Sequence, residues 1–444
     1  MNNYRTLADW IADDIEAGRL PPGERLLPQR EFAYQNRIAP STAGRVYAEL
    51  LHRGLVIGEV GRGTFVAAQT ARTGVVFSEP TTPWVDLEHI FPVLPDQEIA
   101  IARSLSSMLQ PEAVAGVLNP VPAAGTAPGR NIAAHCLSRP GWAPSPDQFL
   151  FTGNGKQAIA AAIAALVSRG ARLGVEEFTF ATIKRIAERL GVTLVPLAMD
   201  GGGIRLDRLK AAHRDEPLSA LYLQPVLHNP LGVTMPSARR EELACLVRDQ
   251  DLIVIEDGVN SFLADDPPLA ALVPERCIVI DSFSKRIAPG LTVGVVVPPK
   301  PLVDRVAQAI RANAWQAPAF AFNAVLQLMR EGTACSIVQA KRKDAAARQA
   351  LAARVLSDFA VRTDPRAYHL WLELPKPWRS HQLVAAAARN RIALSPSRAF
   401  AVREAHAPNA VRIALPWPPV PELRRALEVI ARLLGLTPHA AGVD

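Results

Sequence analysis

Three short apolar runs near the middle of the chain constrain its fold more than any other feature. The runs cover residues 220–223, 252–255 and 277–280. Each is too short for a helix, and the run at 277–280 is rich in β-branched residues, which predicts buried strands. Residues 184–192, 205–212 and 238–250 predict crossover helices between strands. Strands alternating with helices predict an α/β fold with a mostly parallel sheet. Asn229, Asp257 and Lys285 lie at or just beyond the strand ends, where open α/β sheets bind ligands, so we expect them to share one site.

A lysine, a carboxylate and an amide at neighbouring strand ends match the needs of pyridoxal phosphate. This cofactor takes a lysine for a Schiff base, a carboxylate facing its pyridinium nitrogen and a donor near its phenolic oxygen. Lys285, Asp257 and Asn229 supply these groups in that order. Each residue alone has an ordinary alternative, namely a surface lysine, a helix-capping aspartate and an Asn-Pro turn. The combination of the three favours the cofactor.

The bulk properties of the chain are those of a multidomain intracellular protein. Its 444 residues exceed one ordinary core and predict two or three domains. The net charge of +7 permits nucleic-acid binding without establishing it. Four scattered cysteines provide neither a disulfide framework nor a zinc-binding spacing, and no apolar run has the length of a membrane span. We therefore expect a cytoplasmic protein with no metal site and no membrane association.

Residues 1–68 predict a winged helix-turn-helix. Apolar spacing predicts helices at 6–18 and 29–35 and a third that begins near Ser41 and stops at Gly54. Two strands at 55–58 and 63–66 then form a hairpin. Three short helices followed by a hairpin define this module, whose third helix enters the major groove of DNA.

Polar residues on the expected DNA-facing side of this module are candidates for contacting DNA. Near the start of the third helix they lie opposite its core face and would approach base edges, whereas arginines on the second helix and the wing suit phosphate contact. Residues 25–62 hold six arginines against three glutamates, which favours DNA binding over a protein-interaction role. The candidates are Arg30, Ser41, Thr42, Arg45 and Arg62.

The same stretch resembles the GntR family of bacterial repressors. The similarity covers the whole module and is carried by residues 27–33, 41–42, 54–56 and 61–66. It implies operator binding as a homodimer, with Arg30 and Arg45 the most important contacts.

Beyond a polar, proline-bearing linker at 69–83, residues 84–444 predict a larger α/β domain with a small C-terminal subdomain at about 357–436. A strand ending at Thr152 turns through a Gly-Asn-Gly-Lys run into an alanine-rich helix. Free backbone donors at such a helix start can bind an anion, although a plain strand-to-helix turn is as consistent with the pattern. The run is not a Walker A loop, because no Ser or Thr follows Lys156.

From about residue 84 to 436 the chain resembles the fold-type I aminotransferases and, joined to the winged helix, a MocR-type regulator. The resemblance implies pyridoxal phosphate on Lys285 and an effector carboxylate on Arg412, the latter suited by the planar guanidinium. It also implies cofactor roles for further residues at matching positions. Asp257 pairs with the pyridinium nitrogen, Asn229 with the phenolic oxygen and Phe180 with the ring face, while Gly155, Lys156 and Ser282 border the phosphate.

Two positions depart from the aminotransferase pattern. Thr292 stands where the family usually has an arginine that grips the phosphate, and Arg286 or Lys156 are the candidates to replace it. Residues 258–261 lack the tyrosine that usually contacts the phenolic oxygen. Both changes are expected to weaken cofactor binding and make transamination a less favoured function.

The leading hypothesis is a DNA-binding transcription regulator whose aminotransferase-like domain binds pyridoxal phosphate and senses an amino-acid-like effector by Schiff-base exchange at Lys285. One alternative is an active pyridoxal-phosphate-dependent aminotransferase with a secondary winged helix. The other is a regulator whose large domain has lost the cofactor and serves as a scaffold or binds another ligand.

Overall fold

The computed structural model describes residues 4–59, 62–67 and 85–443, so the linker predicted at 69–83 lies outside the described residues. The N-terminal part is built from three helices and a two-stranded antiparallel hairpin with Val56 opposite Val66. Its elements are α1 (Tyr4–Glu16), α2 (Gln29–Gln35), α3 (Pro40–His52), β1 (Val56–Glu59) and β2 (Gly63–Val66). These elements confirm the winged helix-turn-helix.

A compact apolar core holds the winged helix together. The rings of Phe32 from α2 and Tyr47 from α3 meet edge to face, with centroids 5.5 Å apart. Leu7 and Ile11 of α1 are buried beside them, as their helical spacing predicts. The helical spacing of Trp10 predicts that it shares this face, but it is 51% exposed, because the buried stripe of α1 follows the i, i+4, i+8 row of Leu7.

The larger part of the chain is centred on a seven-stranded sheet in the order β4-β12-β11-β10-β9-β5-β6. Only β12 runs antiparallel to its neighbours; the other pairings are parallel. The strands are β4 (Leu150–Thr152), β5 (Arg172–Glu176), β6 (Thr193–Leu197), β9 (Ala220–Leu223), β10 (Val254–Asp257), β11 (Cys277–Ser282) and β12 (Gly294–Val297), with a short β7–β8 hairpin (Met199–Asp200 and Gly203–Ile204) beside them. The sheet confirms the three strands predicted from the apolar runs.

Helices cover both faces of this sheet. Along β11 alternate side chains enter different cores: Ile278 and Ile280 pack with α7, whereas Cys277 and Val279 pack with α6 and α13. The helices of this part are α4 (Gln97–Leu105), α5 (Pro111–Val117), α6 (Ala127–Leu137), α7 (Gly155–Leu166), α8 (Ala181–Leu190), α9 (Leu206–Asp215), α10 (Ser237–Asp249), α11 (Phe283–Arg286), α12 (Val303–Ala312) and α13 (Ala319–Arg330).

A four-stranded antiparallel sheet, in the order β13-β14-β17-β16, forms the C-terminal part. Its strands are β13 (Val361–Arg362), β14 (His369–Glu373), β16 (Ser395–Pro396) and β17 (Ala410–Ala414). The helices α15 (Ser380–Arg389) and α16 (Val420–Leu434) pack on it, and β15 (Ile392–Ala393) pairs with β3 (Val85–Asp86) from the start of the domain. This pairing draws residues 85–91 across to the C-terminal sheet.

The stretch at 301–356, which the sequence predicts as one long helical region, is three helices. After α12, Pro318 precedes α13, and Gly332 with a φ of 77° separates α13 from α14 (Thr333–Val355). The basic run at 341–343 predicts a solvated face, and this prediction is wrong for Lys341, which is fully buried, while Lys343 is exposed.

Candidate functional site

The carboxyl ends of β9, β10 and β11 lie side by side in the sheet. Asn229 follows β9 in a loop, Asp257 is the last residue of β10, and Lys285 lies on the short helix α11 directly after β11. Parallel pairing of the three strands aligns these ends along one edge. The three residues therefore open onto a common site, as expected from their order in the sequence.

Asp257 presents a buried carboxylate to this site. Its Oδ2 accepts a 2.5 Å hydrogen bond from the hydroxyl of Tyr222, and its Oδ1 accepts one of 3.0 Å from the amide of Val259. Burial raises the pKa of Asp257, while the Tyr222 hydrogen bond acts in the opposite direction. A buried carboxylate held by neutral donors is suited to receive a cationic partner such as a pyridinium nitrogen.

Lys285 extends its amine to Asn260, with 2.9 Å between Nζ and Oδ1. Removal from water lowers the pKa of Lys285 to about 8, Asp257 opposes this shift, and Arg412 and Lys156 add to it. Roughly a tenth of the amine is then unprotonated at pH 7, far more than for an ordinary lysine, and this fraction can act as a nucleophile. Asn260 belongs to the 258–261 stretch that lacks the usual tyrosine, so an amide contacts the lysine there.

The start of α7 approaches the end of β11 closely. A Cβ on Gly155 would lie 3.0 Å from the Cβ of Ser282, so a larger residue at this helix start would require Ser282 to shift by a few tenths of an ångström. The hydroxyl of Ser282 lies 2.9 Å from that of Ser284, which in turn contacts the hydroxyl of Thr292. Backbone N–H groups of α7 and three hydroxyls thus surround a place that suits an anion. Lys156 is exposed at the same helix start.

Arg412 lies on β17 and is 3% exposed. Its Nη1 donates to Oδ1 of Asn229 at 3.2 Å, which joins the C-terminal sheet to the strand-end site. Its Nη2 donates to the hydroxyl of Ser395 at 3.0 Å and to the carbonyl of Glu88. Within the described part of the chain the buried Nε of Arg412 has no hydrogen-bond partner. A carboxylate on a bound ligand would supply a hydrogen-bond acceptor for this Nε.

Phe180 and Arg286 occupy different surroundings. Phe180 immediately precedes α8 and packs, partly buried, against the core that α7 and β5 share. Arg286 points to the opposite face of the sheet from Ser282. There its guanidinium pairs with Asp281 at 2.5 Å, and Arg139 lies 3.8 Å from the same carboxylate. This ion pair occupies the guanidinium of Arg286 and turns it away from a phosphate bound beside Ser282.

The buried pair of Asp281 and Arg286 gives a stability prediction. Asp281→Asn leaves Arg286 and Arg139 facing each other without a carboxylate, so we expect the free energy of unfolding to fall by about 3 kcal/mol. Asp215→Asn removes the carboxylate of an exposed pair and should have little effect. Urea denaturation of both variants measures the difference; equal stability would show that the buried pair contributes nothing.

The candidate DNA-contacting residues lie on the surface of the winged helix. Arg30, Ser41 and Arg45 are exposed and Thr42 is half-buried, on the sides of α2 and α3 away from their core residues. The guanidinium of Arg45 lies 5.0 Å from the ring of Tyr4. Arg62, between the two wing strands, pairs with Glu59 at 2.6 Å.

The winged helix also contacts the C-terminal part of its own chain. Asp13 of α1 accepts from His406 at 2.8 Å and from Arg403 at 3.3 Å. At the end of α3, the ring of His52 lies 3.1 Å from the side-chain amide of Asn409. Asn409 immediately precedes β17, which carries Arg412.

Neither a membrane-spanning helix nor a metal centre emerges from the described residues. Across residues 4–59, 62–67 and 85–443 no helix combines the length and apolar character needed to cross a bilayer. Within the same ranges no three His, Cys, Asp or Glu side chains are grouped so as to bind a metal ion.

The mixed seven-stranded sheet, with a lysine, an aspartate and an asparagine at its strand ends, places this part of the chain in the aminotransferase-like class of proteins. The chain belongs to the aminotransferase class I and II family, whose model matches residues 128–430. Among solved structures, an archaeal alanine:glyoxylate aminotransferase superimposes with a TM-score of 0.73 at 20% identity, covering 80% of this chain and 91% of that one. LysN, the alpha-aminoadipate aminotransferase of Thermus thermophilus, gives 0.72 at 22% identity, covering 79% and 92%. These likenesses show the fold.

Curated relatives of this chain are named as HTH-type transcriptional regulators. The uncharacterized HTH-type transcriptional regulator YdeF of Bacillus subtilis is 29% identical over 97% of this chain and 94% of its own. The HTH-type pyridoxine biosynthesis transcriptional regulator PdxR of Corynebacterium glutamicum is 26% identical over 66% of each chain. Together with the aminotransferase class I and II domain, these relatives fit a MocR-type regulator, as the sequence resemblance predicts.

Sequence reasoning missed four residues that shape the site. Tyr222 lies within the apolar run of β9 and reads as a core residue, yet its hydroxyl contacts Asp257. Asn260 occupies the stretch noted only for its lack of tyrosine, and Ser395 lies far from Arg412 in the chain. Lys341 was assigned to solvent. Only Asn260 had a usable signal, since it lies one turn beyond Asp257.

Proposed function

We propose that this chain is a cytoplasmic, DNA-binding transcription regulator whose aminotransferase-like domain carries pyridoxal phosphate on Lys285 and senses an amino-acid-like effector. The carrying observation is the convergence of Lys285, Asp257, Asn229 and Arg412 on one site in a chain that also has a winged helix. The names of its curated relatives support the regulatory role. A homodimer is expected, because operators with twofold symmetry match dimeric readers.

The residues present fit pyridoxal phosphate. When bound, this group supplies an aldehyde carbon that bonds to a primary amine with loss of water. The Lys285 amine, with a pKa of about 8, provides the nucleophile. Asp257 provides a buried carboxylate for the ring nitrogen, and the cramped start of α7 beside Ser282 provides donors for the phosphate. Phe180, Asn229 and Lys156 complete the proposed cofactor contacts.

The effector is proposed to be an amine that also carries a carboxylate. The buried guanidinium of Arg412 is the group that would bind the carboxylate, with its unpartnered Nε available. The effector amine would take the place of Lys285 on the aldehyde carbon. The C=N bond to Lys285 would be exchanged for a C=N bond to the effector amine, so the exchange would need neither an oxidant nor net water and would leave Lys285 as a free amine.

The segment from Ser395 to Arg412, called here the coupling segment, connects this site with the winged helix. At the site, Ser395 contacts the guanidinium of Arg412, which also lies 4.8 Å from the ring of Phe400. Both ends of the segment therefore lie at the site, and between them His406 contacts Asp13 of α1. A ligand that moves Arg412 therefore acts on a segment that directly holds the winged helix, which provides a route for coupling between two sites.

Weakening the coupling segment should reduce the effector response. In Asp13→Asn the contacts to Arg403 and His406 lose their charge, so we expect the effector-dependent change in operator affinity to shrink at least about threefold. Asp14→Asn, which instead releases the exposed Arg19, is the matched control. Fluorescence anisotropy with labelled operator DNA, with and without effector, measures the change. An unaltered response in Asp13→Asn would place the coupling elsewhere.

The loss of the usual phosphate arginine gives a further prediction. Thr292 lies in the hydroxyl cluster beside Ser282, so Thr292→Arg would add a charge-assisted hydrogen bond to the phosphate worth about 1.5–3 kcal/mol. Part of this is offset by ordering the side chain, which leaves an increase of roughly tenfold in pyridoxal phosphate affinity. Thr292→Gln is the uncharged control. Calorimetric titration measures both, and an unchanged affinity in Thr292→Arg would argue against a phosphate at this place.

An active aminotransferase is the second candidate, favoured by the family match itself. The two functions are separated by one experiment with the purified chain. Binding to DNA from upstream of its own gene, compared with shuffled DNA of equal length, tests the regulator; turnover of amino acids with keto-acid acceptors tests the enzyme. Selective DNA binding without turnover supports the proposal, whereas turnover without selective binding contradicts it. If pyridoxal phosphate does not bind at all, the cofactor-free alternative is favoured.

A further inference from the structure

Lys341, in the middle of α14, is a fully buried lysine that the proposed cofactor chemistry does not use. Its Nζ donates to the backbone carbonyl of Lys285 at 2.9 Å and to that of Ile287 at 2.5 Å. The side-chain amide of Gln97 donates to the same Ile287 carbonyl at 2.9 Å. Lys341 therefore binds the backbone at Lys285 and two residues beyond it.

The two carbonyls that accept hydrogen bonds from Lys341 lie at the end of a helix that is too short to be stable on its own. The helix α11 has four residues, Phe283–Arg286, and the last carbonyls of any helix lack partners within it. A helix of one turn has little stability of its own. Capping of its carbonyls from a neighbouring helix thus determines the direction in which Lys285 leaves the backbone.

The helix that supplies Lys341 is itself firmly held. The hydroxyl of Tyr368, which has a single proton to donate, lies 2.8 Å from the carbonyl oxygen of Lys341 and 2.9 Å from Oδ2 of Asp344. One turn further, Arg348 donates to the carbonyls of Leu415 and Pro418, just beyond β17. The amine of Lys341 is therefore a fixed point between the C-terminal sheet and α11.

The chemistry of Lys341 fits a hydrogen-bonding role and not a packing role. An aliphatic side chain of similar length would fill the same volume without the cost of burying a polar group. Burial lowers the pKa of Lys341 to about 7, with Asp344 acting in the opposite direction. Both the neutral and the protonated amine have enough N–H bonds to donate to the two carbonyls.

We propose that Lys341 is a positioning residue: by binding the carbonyls of Lys285 and Ile287 it aims the Lys285 amine at the aldehyde carbon of the cofactor. This rests on the proposed function, since it presupposes a cofactor that bonds to Lys285. The consequence is specific to bond formation. Ligands that occupy the site without bonding to Lys285 do not depend on Lys341.

Two ligands separate this role from a general structural one. Pyridoxal 5′-phosphate bonds to Lys285, whereas pyridoxamine 5′-phosphate has the same ring and phosphate but an amine in place of the aldehyde. In Lys341→Met we expect the affinity for pyridoxal phosphate to fall about tenfold, because the backbone that carries Lys285 gains conformational freedom. The affinity for pyridoxamine phosphate should change less than about twofold. Lys343→Met, an exposed lysine of the same helix, is the control and should leave both affinities unchanged.

Each outcome of the titration calorimetry decides the proposal. Equal losses for both ligands would mean that Lys341 only supports the fold, and an unchanged pyridoxal phosphate affinity would mean that it does not position Lys285; either overturns the proposal. Wild-type protein that binds neither ligand overturns the proposed function itself, a result distinct from these two. Should Lys341→Met not fold, Lys341→Gln carries the comparison, since its shorter side chain cannot reach both carbonyls, and the same selective loss is expected at about threefold or more.

Discussion

Lys285→Ala is expected to abolish covalent attachment of pyridoxal phosphate. Wild-type protein mixed with the cofactor should develop a visible absorption band, and borohydride reduction should fix one cofactor to the chain. The variant lacks the amine that is proposed to bond to the aldehyde, so it should show neither the band nor fixed cofactor in a mass spectrum. Binding through the ring and phosphate alone should remain, weaker by roughly 100-fold.

Lys156→Met is the matched control for this prediction. Lys156 is the other lysine close enough to affect the charge on Lys285, and it lies exposed at the start of α7. The control should keep the visible band and lose only part of the affinity through the missing phosphate contact. A band that survives in Lys285→Ala and disappears in Lys156→Met would move the attachment site and contradict the assignment.

The rate of attachment should depend on pH in a direction set by Lys285. Burial lowers the pKa of its amine to about 8. Below this pH the amine is protonated and lacks the lone pair that attacks the aldehyde, so the rate should rise with pH and level off above about 8. Stopped-flow absorbance between about pH 6 and pH 9 measures the profile. A rise centred near the ordinary lysine value would show that the site does not perturb this amine.

The parts of the site that could be predicted from the sequence are those set by local rules. Parallel strands end at one edge of their sheet, so Asn229, Asp257 and Lys285 could be grouped from the order of three apolar runs. The winged helix followed from helical spacing and a hairpin signal within one short stretch. Both inferences needed only neighbouring residues and the period of their side chains.

The parts that could not be predicted depend on contacts between distant segments. Lys341 is buried because α14 packs against α11. The basic residues beside it in the sequence give no indication of this packing. Arg286 seemed available for a phosphate, but it faces away from Ser282 and pairs with Asp281. The alternation of side chains along a strand predicts part of this arrangement, since Asp281 and Ser282 must point to opposite faces of the sheet. Asp13 and His406 lie near opposite ends of the sequence, and the composition of the chain does not indicate that they are in contact.

Arg45→Glu is expected to lower operator affinity by roughly 100-fold, the second large effect. Arg45 is exposed on the first half of α3, on the side away from the core residues Val46 and Tyr47. In the proposed DNA complex this half of the helix meets base edges, where a bidentate arginine contact contributes about 1–3 kcal/mol of discrimination. The glutamate adds repulsion from the phosphates to the loss of that contact. Anisotropy titration with operator DNA measures the change.

The ratio between operator and shuffled DNA separates base reading from general attraction. Arg424→Glu makes the same charge change on an exposed position of α16 and should weaken binding to both DNAs only slightly and equally. Arg30→Ala, at a proposed phosphate contact, should weaken both DNAs to a similar degree and reduce the salt dependence of binding. Arg45→Glu alone should bring the two affinities close together. If it weakens both DNAs equally, Arg45 contacts the backbone, and base reading must be assigned to Ser41 and Thr42 at the start of the same helix.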